Sequence, residues 1–173
     1  MIRLYDTVKR EKTPLTHRQE GKVGIYVCGP TVYSYAHVGN FRSFLLGDLL
    51  RRVLTQRGFE VTQVMNITDV GHLTSDADEG EDRMLVGVRR TGRDPWEIAE
   101  RYTELFFEDA AALNILRPHV APRATDHIPE MIEMISALIE RDHAYVAVGD
   151  VYFSVRSFPD YAKLSRRDVD ELR

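Results

Sequence analysis

A chain of 173 residues, 43% of them hydrophobic, is long enough for a globular domain with its own core. It contains no run of about 18 uncharged apolar residues and no basic-then-apolar amino terminus, so the pattern argues against a membrane span or export and sets a cytoplasmic expectation. The net charge of −4 argues against a general nucleic-acid coat protein, and the single cysteine excludes an internal disulfide.

The charge is unevenly spread. Residues 1–60 carry ten Lys/Arg against five Asp/Glu, and residues 61–173 carry thirteen against twenty-two. The basic part suits an anionic ligand as well as it suits ordinary solvated surface.

Residues 1–20 open with Ile2-Arg3-Leu4-Tyr5-Asp6-Thr7, a short strand, and continue as a charged surface loop. Val23-Gly24-Ile25-Tyr26-Val27-Cys28 is a nearly unbroken apolar run, the pattern of a strand buried on both faces of a parallel sheet. Gly29 and Pro30 break it. Phe41, Phe44, Leu45, Leu49, Val53 and Leu54 then recur at helical spacing, predicting a helix over about 40–57 that ends at Gly58. A second strand over 60–67 completes a β-α-β unit with two neighbouring parallel strands. Ligands in such sheets lie at the carboxyl ends of the strands, here Cys28 and Thr68. Gly39 and Asn40 fall at the start of the helix, where free backbone N–H groups and the helix dipole attract phosphate. Strand, tight turn and anion-ready helix outline a nucleotide site.

Further along, residues 76–82 are an acidic run, read as a solvated or helix-starting loop because the spacing of a Ca²⁺ loop is absent. His72, in the same region, reads as a surface residue. Asp94-Pro95-Trp96-Glu97 marks a helix start, with Pro at the first position, and the helix runs to about Ala112 with Tyr102, Leu105, Phe106 and Phe107 as core rather than a stacking platform. Residues 128–139 predict another amphipathic helix with Met131 and Met134 in its core face. Residues 145–148 and 151–155 then form a hairpin about Gly149-Asp150. His119, His127 and His143 have no mutual ligand spacing, and no repeat or low-complexity segment occurs.

The residues from Tyr26 to Tyr33, Tyr-Val-Cys-Gly-Pro-Thr-Val-Tyr, with His37-Val38-Gly39-Asn40, resemble the opening motif of the cysteinyl-tRNA synthetases, class I enzymes whose "HIGH" box often reads His-Ile-Gly-Asn. The similarity continues in order and spacing through Asn66-Ile67-Thr68-Asp69-Val70, Ala112 to Pro118, Pro122-Arg123-Ala124-Thr125, His143-Ala144-Tyr145 and Lys163-Leu164-Ser165. The four-residue box alone is a weak signal. The collinear blocks make it specific.

The resemblance implies an α/β fold, the first half of a class I Rossmann-type nucleotide-binding domain with a parallel sheet, over residues 1–117. Residues 118–173 would begin an α+β insertion facing the acceptor stem, with the boundary near Arg117-Pro118. The family's remaining zinc ligands (a second Cys, a His and a Glu) and its KMSKS loop have no counterpart in the sequence. The implied activity is cysteine–tRNA ligation, with ATP and Mg, L-cysteine and tRNA(Cys) as partners and a monomer as the expected state. A paralogue that joins cysteine to the amine of a small sugar, as in mycothiol synthesis, and a truncated, non-catalytic nucleotide- or tRNA-binding module are the alternatives.

Site residues follow from the motif. Cys28 would be a zinc ligand, the metal in turn accepting the thiolate of substrate cysteine; zinc binds thiolate strongly and neutral alcohol poorly, which separates cysteine from serine. The ordinary alternative is a small packed hydrophobe. His37 and Asn40 would contact ATP phosphates, His37 as a donor to developing charge, and Gly39 would let the adenosine approach the backbone. A capping Asn and a surface His are the plainer reading. Gly29, Thr31, Tyr33 and Thr68 are candidates for cysteine contacts, with loop capping as the alternative. Asp69 could pair with the substrate ammonium or cap the next helix.

Overall fold

A computed structural model describes residues 2–16, 18–70, 88–89 and 92–166. The elements are β1 (Arg3–Asp6), β2 (Glu11–Pro14), β3 (Lys22–Val27), α1 (Val38–Gln56) and β4 (Glu60–Met65). They continue as α2 (Pro95–Ala112), α3 (Ile128–Glu140), β5 (Ala144–Ala147) and β6 (Asp150–Phe153). The acidic run at 76–82 and His72 lie outside the described residues.

The chain divides into two compact units, His17–His127 and a second made of Met1–Thr16 with Ile128–Arg173. Residues after Pro118 extend the sheet of the first unit. Met65 N–H donates to Val120 O at 3.0 Å, Ile67 N–H to Pro122 O at 2.8 Å, and Ala124 N–H to Ile67 O at 3.0 Å. Val64↔Val120 and Ile67↔Arg123 are parallel bridges.

β3 and β4 pair in parallel from Lys22↔Glu60 to Val27↔Met65, so β4 lies between β3 and the 119–124 segment. The β-α-β unit read from the sequence is therefore present. Both connecting helices pack on the face carrying Met65. Phe41 and Phe44 of α1, Phe106 and Ala110 of α2, Met65 and Ile115 form one buried cluster, while Val32, Ile67, Ile98 and Ala99 form another. Phe106 stacks on Phe41 with centroids 5.6 Å apart and meets Phe44 edge-on at 5.0 Å, geometries that add to the burial of the rings.

The expectation of a strand buried on both faces is corrected. Lys22, Gly24 and Tyr26 are exposed in alternation with half-buried Val23, Ile25 and Val27, because α1 and α2 cover the same side of the sheet. The stripe Leu45, Leu49 and Val53 of α1 is likewise exposed, and only Phe41, Phe44 and Leu54 of the expected apolar set are buried.

Asp48 is charged yet buried. Its Oδ2 accepts from Arg52 Nε at 2.7 Å and its Oδ1 from Leu116 N–H at 2.9 Å, which ties α1 to the turn that follows α2. α2 begins as its sequence predicts: Asp94 Oδ1 accepts from Trp96 N–H at 2.9 Å and Pro95 occupies the first helical position, where no N–H is needed.

In the second unit, β1 and β2 pair antiparallel. β2 stands where a surface loop is expected, because its residues Glu11-Lys12-Thr13-Pro14 lack an apolar pattern. β5 and β6 form the expected hairpin, but the turn is Val148-Gly149, one residue earlier than expected. α3 spans the predicted range with no buried residue, and Met131 and Met134 are exposed, contrary to the core role expected of them.

Candidate active site

The parallel ladder continues past the ends of β3 and β4. Val32 N–H donates to Thr68 O at 3.1 Å and Thr68 N–H to Pro30 O at 3.0 Å, with Thr31 and Thr68 bridged. The loop after β3 and the segment after β4 are thus joined at the carboxyl end of the sheet, where the sequence placed the ligand site.

A cavity of about 250 Å³ lies there, lined by residues 29–37, by Asn40 and Phe44 of α1, and by Tyr102 and Phe106 of α2. It gathers five of the predicted site residues: Gly29, Thr31, Tyr33, His37 and Asn40. Cys28, Gly39, Thr68 and Asp69 are not in its wall.

His37 is the N-cap of α1. Its Nδ1 accepts from Gly39 N–H at 3.1 Å, and Asn40 Oδ1 reaches back to accept His37 N–H at 3.0 Å, which makes a reciprocal capping box. Asn40 N–H is bonded to His37 O at 2.9 Å. The expected free amides at Gly39 and Asn40 are therefore both engaged, Gly39 N–H by the His37 ring and Asn40 N–H by the His37 backbone carbonyl. His37 Nε2–H and the Asn40 amide Nδ2 are side-chain donors at the same turn.

Cys28 is exposed, which removes the packed-hydrophobe alternative. Its Sγ has one weak contact, 3.9 Å from Gly29 O. Among the described residues no group of three or more His, Cys, Asp or Glu could hold a metal. One thiolate does not make a zinc site, so the described residues do not by themselves fit the metal the motif implies.

Asp69 is buried, and both its oxygens are engaged by Thr125: Oδ1 accepts from the backbone N–H at 3.1 Å and Oδ2 from Oγ1 at 2.6 Å. Of its two readings, capping describes the geometry among the described residues, and the capped turn there is Thr125–His127.

Sequence reasoning missed two residues. Tyr102 packs half-buried against the Val32–Ile67 cluster, as its core placement expects, but it also lines the cavity and meets Tyr35 edge-on at 5.3 Å. Asn66 was read only as part of a block. Its Oδ1 accepts from Gly29 N–H at 2.9 Å and from the Tyr26 hydroxyl at 2.8 Å, and its Nδ2 donates to Thr68 Oγ1 at 3.0 Å. Asn is depleted in strands, so an Asn closing an apolar strand was the available signal. Among the described residues no helix is long and apolar enough to cross a membrane.

Residues 14–173 match the family described as tRNA synthetases class I (C) catalytic domain. The chain is 52% identical over 170 residues to a cysteine–tRNA ligase of Deinococcus radiodurans, 51% identical over 170 residues to one of Thermus thermophilus and 45% identical over 172 residues to one of Treponema denticola. These alignments cover 98–99% of this chain and 34–35% of each relative, so the chain spans about a third of their length. A crystal structure of a protein assigned as an arginyl-tRNA synthetase from Campylobacter jejuni superposes with a TM-score of 0.57 at 11% identity, over 83% of this chain and 39% of that one, a likeness of fold alone. With a strand–turn–helix site at the carboxyl end of a parallel α/β sheet and a family match over nearly its whole length, the chain belongs to the class I tRNA synthetases of the cysteine type.

Proposed function

We propose that these residues form the ATP- and cysteine-binding first part of a cysteine–tRNA ligase, built on the first half of a Rossmann-type domain. The observation that carries this reading is the 52% identity to a cysteine–tRNA ligase over 98% of the chain.

In the proposed reaction a carboxylate oxygen of cysteine attacks the α-phosphorus of Mg-ATP. The bond from that phosphorus to the bridging oxygen breaks, pyrophosphate leaves with the electron pair, and cysteinyl-adenylate remains. A ribose hydroxyl of the terminal tRNA adenosine then takes the acyl group, releasing AMP. Catalysis here is positioning and charge stabilisation, with no side-chain nucleophile. His37 Nε2–H and the Asn40 amide would donate to phosphate oxygens as negative charge moves toward the leaving group. Gly29, Thr31 and Tyr33 would line the amino-acid end, with Thr68 at the adjoining strand end. Cys28 would contribute one thiolate to a zinc site that selects substrate thiolate over alcohol, completed by ligands outside the described residues. Residues 118–173 would begin the insertion that meets the acceptor stem. A monomeric, cytoplasmic protein is part of this reading.

The test is ATP–pyrophosphate exchange by the protein at its natural length, with cysteine and with serine. Exchange that depends on cysteine and is feeble with serine supports the proposal; exchange indifferent to either amino acid overturns it.

A further inference from the structure

The two strand ends at the site do not keep one register, and Asn66 stands where it changes. Val27 faces Met65, but Thr31 faces Thr68, so residues 28–30 of one strand oppose only residues 66 and 67 of the other. An extra residue of this kind deprives a backbone group of its ladder partner, and a buried or half-buried N–H must then find another acceptor. The N–H here is that of Gly29, and the acceptor is a side chain, Asn66 Oδ1 at 2.9 Å. The same oxygen accepts the Tyr26 hydroxyl, while the amide nitrogen donates to Thr68 Oγ1. One side chain is bonded to the strand before the bulge, to the bulge, and to the far strand end. The fit is close: a Cβ on Gly29 would lie 1.7 Å from the backbone carbonyl oxygen of Asn66.

We propose that Asn66 is a positioning residue, a clamp that holds the Cys28–Gly29 bulge and the Thr68 hydroxyl as one unit and so sets where the thiol and the hydroxyl are presented. The hydrogen-bond capacity matches the task, since a primary amide accepts two bonds and donates at once. A leucine of similar size would fill the space and leave the Gly29 N–H without a partner. The consequence for cysteine binding rests on the function proposed above; the clamp itself does not.

Amide hydrogen exchange by NMR on the 173-residue chain tests the clamp. In Asn66→Ala, exchange at Gly29 is expected to rise roughly tenfold while amides of the β3–β4 ladder keep their protection. Asn66→Asp should restore Gly29, because a carboxylate accepts both bonds and the Thr68 hydroxyl can turn to donate. Thr68→Val frees the amide end of the clamp with little change of shape, so a rise at Gly29 is expected there even if Asn66→Ala does not fold. No change at Gly29 in either variant, or a rise shared equally by the ladder, overturns the clamp. In the protein at its natural length, Asn66→Ala should raise the KM for cysteine and reduce preference for cysteine over serine by about tenfold, the scale of one lost hydrogen bond, with ATP half-saturation unchanged. A local rise at Gly29 with unaltered cysteine KM overturns the link to substrate. Absence of cysteine-dependent exchange in the unsubstituted protein would instead overturn the proposed function and leave the clamp standing.

Discussion

Gly39 donates its backbone N–H to Nδ1 of His37 at 3.1 Å, and this contact assigns the neutral tautomer of the ring. A neutral imidazole that accepts at Nδ1 carries its proton on Nε2. Cap and donor are thus two nitrogens of one side chain, the first turned into α1 and the second free for a ligand. The plainer expectation is a capping Asn40 and a surface His37; the N-cap is His37 itself, and capping through Nδ1 is compatible with a phosphate contact through Nε2.

Substitution at His37 should separate the two roles. In the protein at its natural length, His37→Ala is expected to slow adenylate formation by about 2–4 kcal/mol of barrier, the scale of one preorganised donor, and to lower stability by about 1 kcal/mol through the lost cap. The rate loss should fall on the maximal rate more than on ATP half-saturation. His37→Asn restores the cap with a good N-cap residue but is too short to replace Nε2. Its melting temperature should recover while adenylation stays slow; recovery of both in a pre-steady-state assay would reduce His37 to a cap.

Cys28→Ser is expected to abolish bound zinc and cysteine-dependent pyrophosphate exchange in the protein at its natural length while leaving the fold intact. The side chain is exposed with one weak contact, so the stability change compared in zinc-free protein should stay within about 0.5 kcal/mol, as for ordinary surface positions. Exchange, metal content and a melting curve measured together decide it: unchanged zinc and exchange would remove the thiolate from the site.

Much of the first unit was legible because its signals are local. The α1 and α2 ranges follow from apolar spacing and from Asp94-Pro95, and the strand–turn–helix outline follows from Gly29-Pro30 and the His37–Asn40 box. What stayed hidden is held by partners far apart in sequence. Asp69 is satisfied by Thr125 and Asn66 by Gly29 and Tyr26, pairings that no local pattern encodes. The 119–124 segment, interrupted by Pro122, carries no strand pattern, and its place in the sheet rests on isolated bridges at Val120 and Arg123. Met131 and Met134 carry a core-like pattern on a helix whose apolar face is uncovered among the described residues.

Asp48→Ala should destabilise the first unit by about 2–3 kcal/mol. It removes the acceptor for the Leu116 N–H and the partner of Arg52, and Asp48 itself is only 2% exposed. The lost bond to a half-buried N–H accounts for most of that figure; Arg52 is partly exposed and can turn to water, which keeps the cost below that of a fully buried pair. Urea unfolding of wild type and variant measures it. A change under about 0.5 kcal/mol, the level of an ordinary surface site, would mean that the α1 link to the 114–117 turn contributes nothing to stability.

The β5–β6 turn carries a removable strain. Val148 has φ of 54° and Gly149 φ of 90°, the left-handed pair that a two-residue hairpin loop of this twist requires. Glycine adopts that region freely, but a β-branched valine brings its side chain against the following carbonyl, at about 1–2 kcal/mol. Val148 is fully exposed, so its side chain has no packing to lose. Val148→Asn, which creates the Asn-Gly pair favoured in such turns, should therefore stabilise the hairpin by about 1 kcal/mol. Slower hydrogen exchange at the β5 and β6 amides, with the β3–β4 amides unchanged, is the expected signature. Unchanged or faster exchange in β5 and β6 would show that the turn does not hold a left-handed residue at 148 in solution.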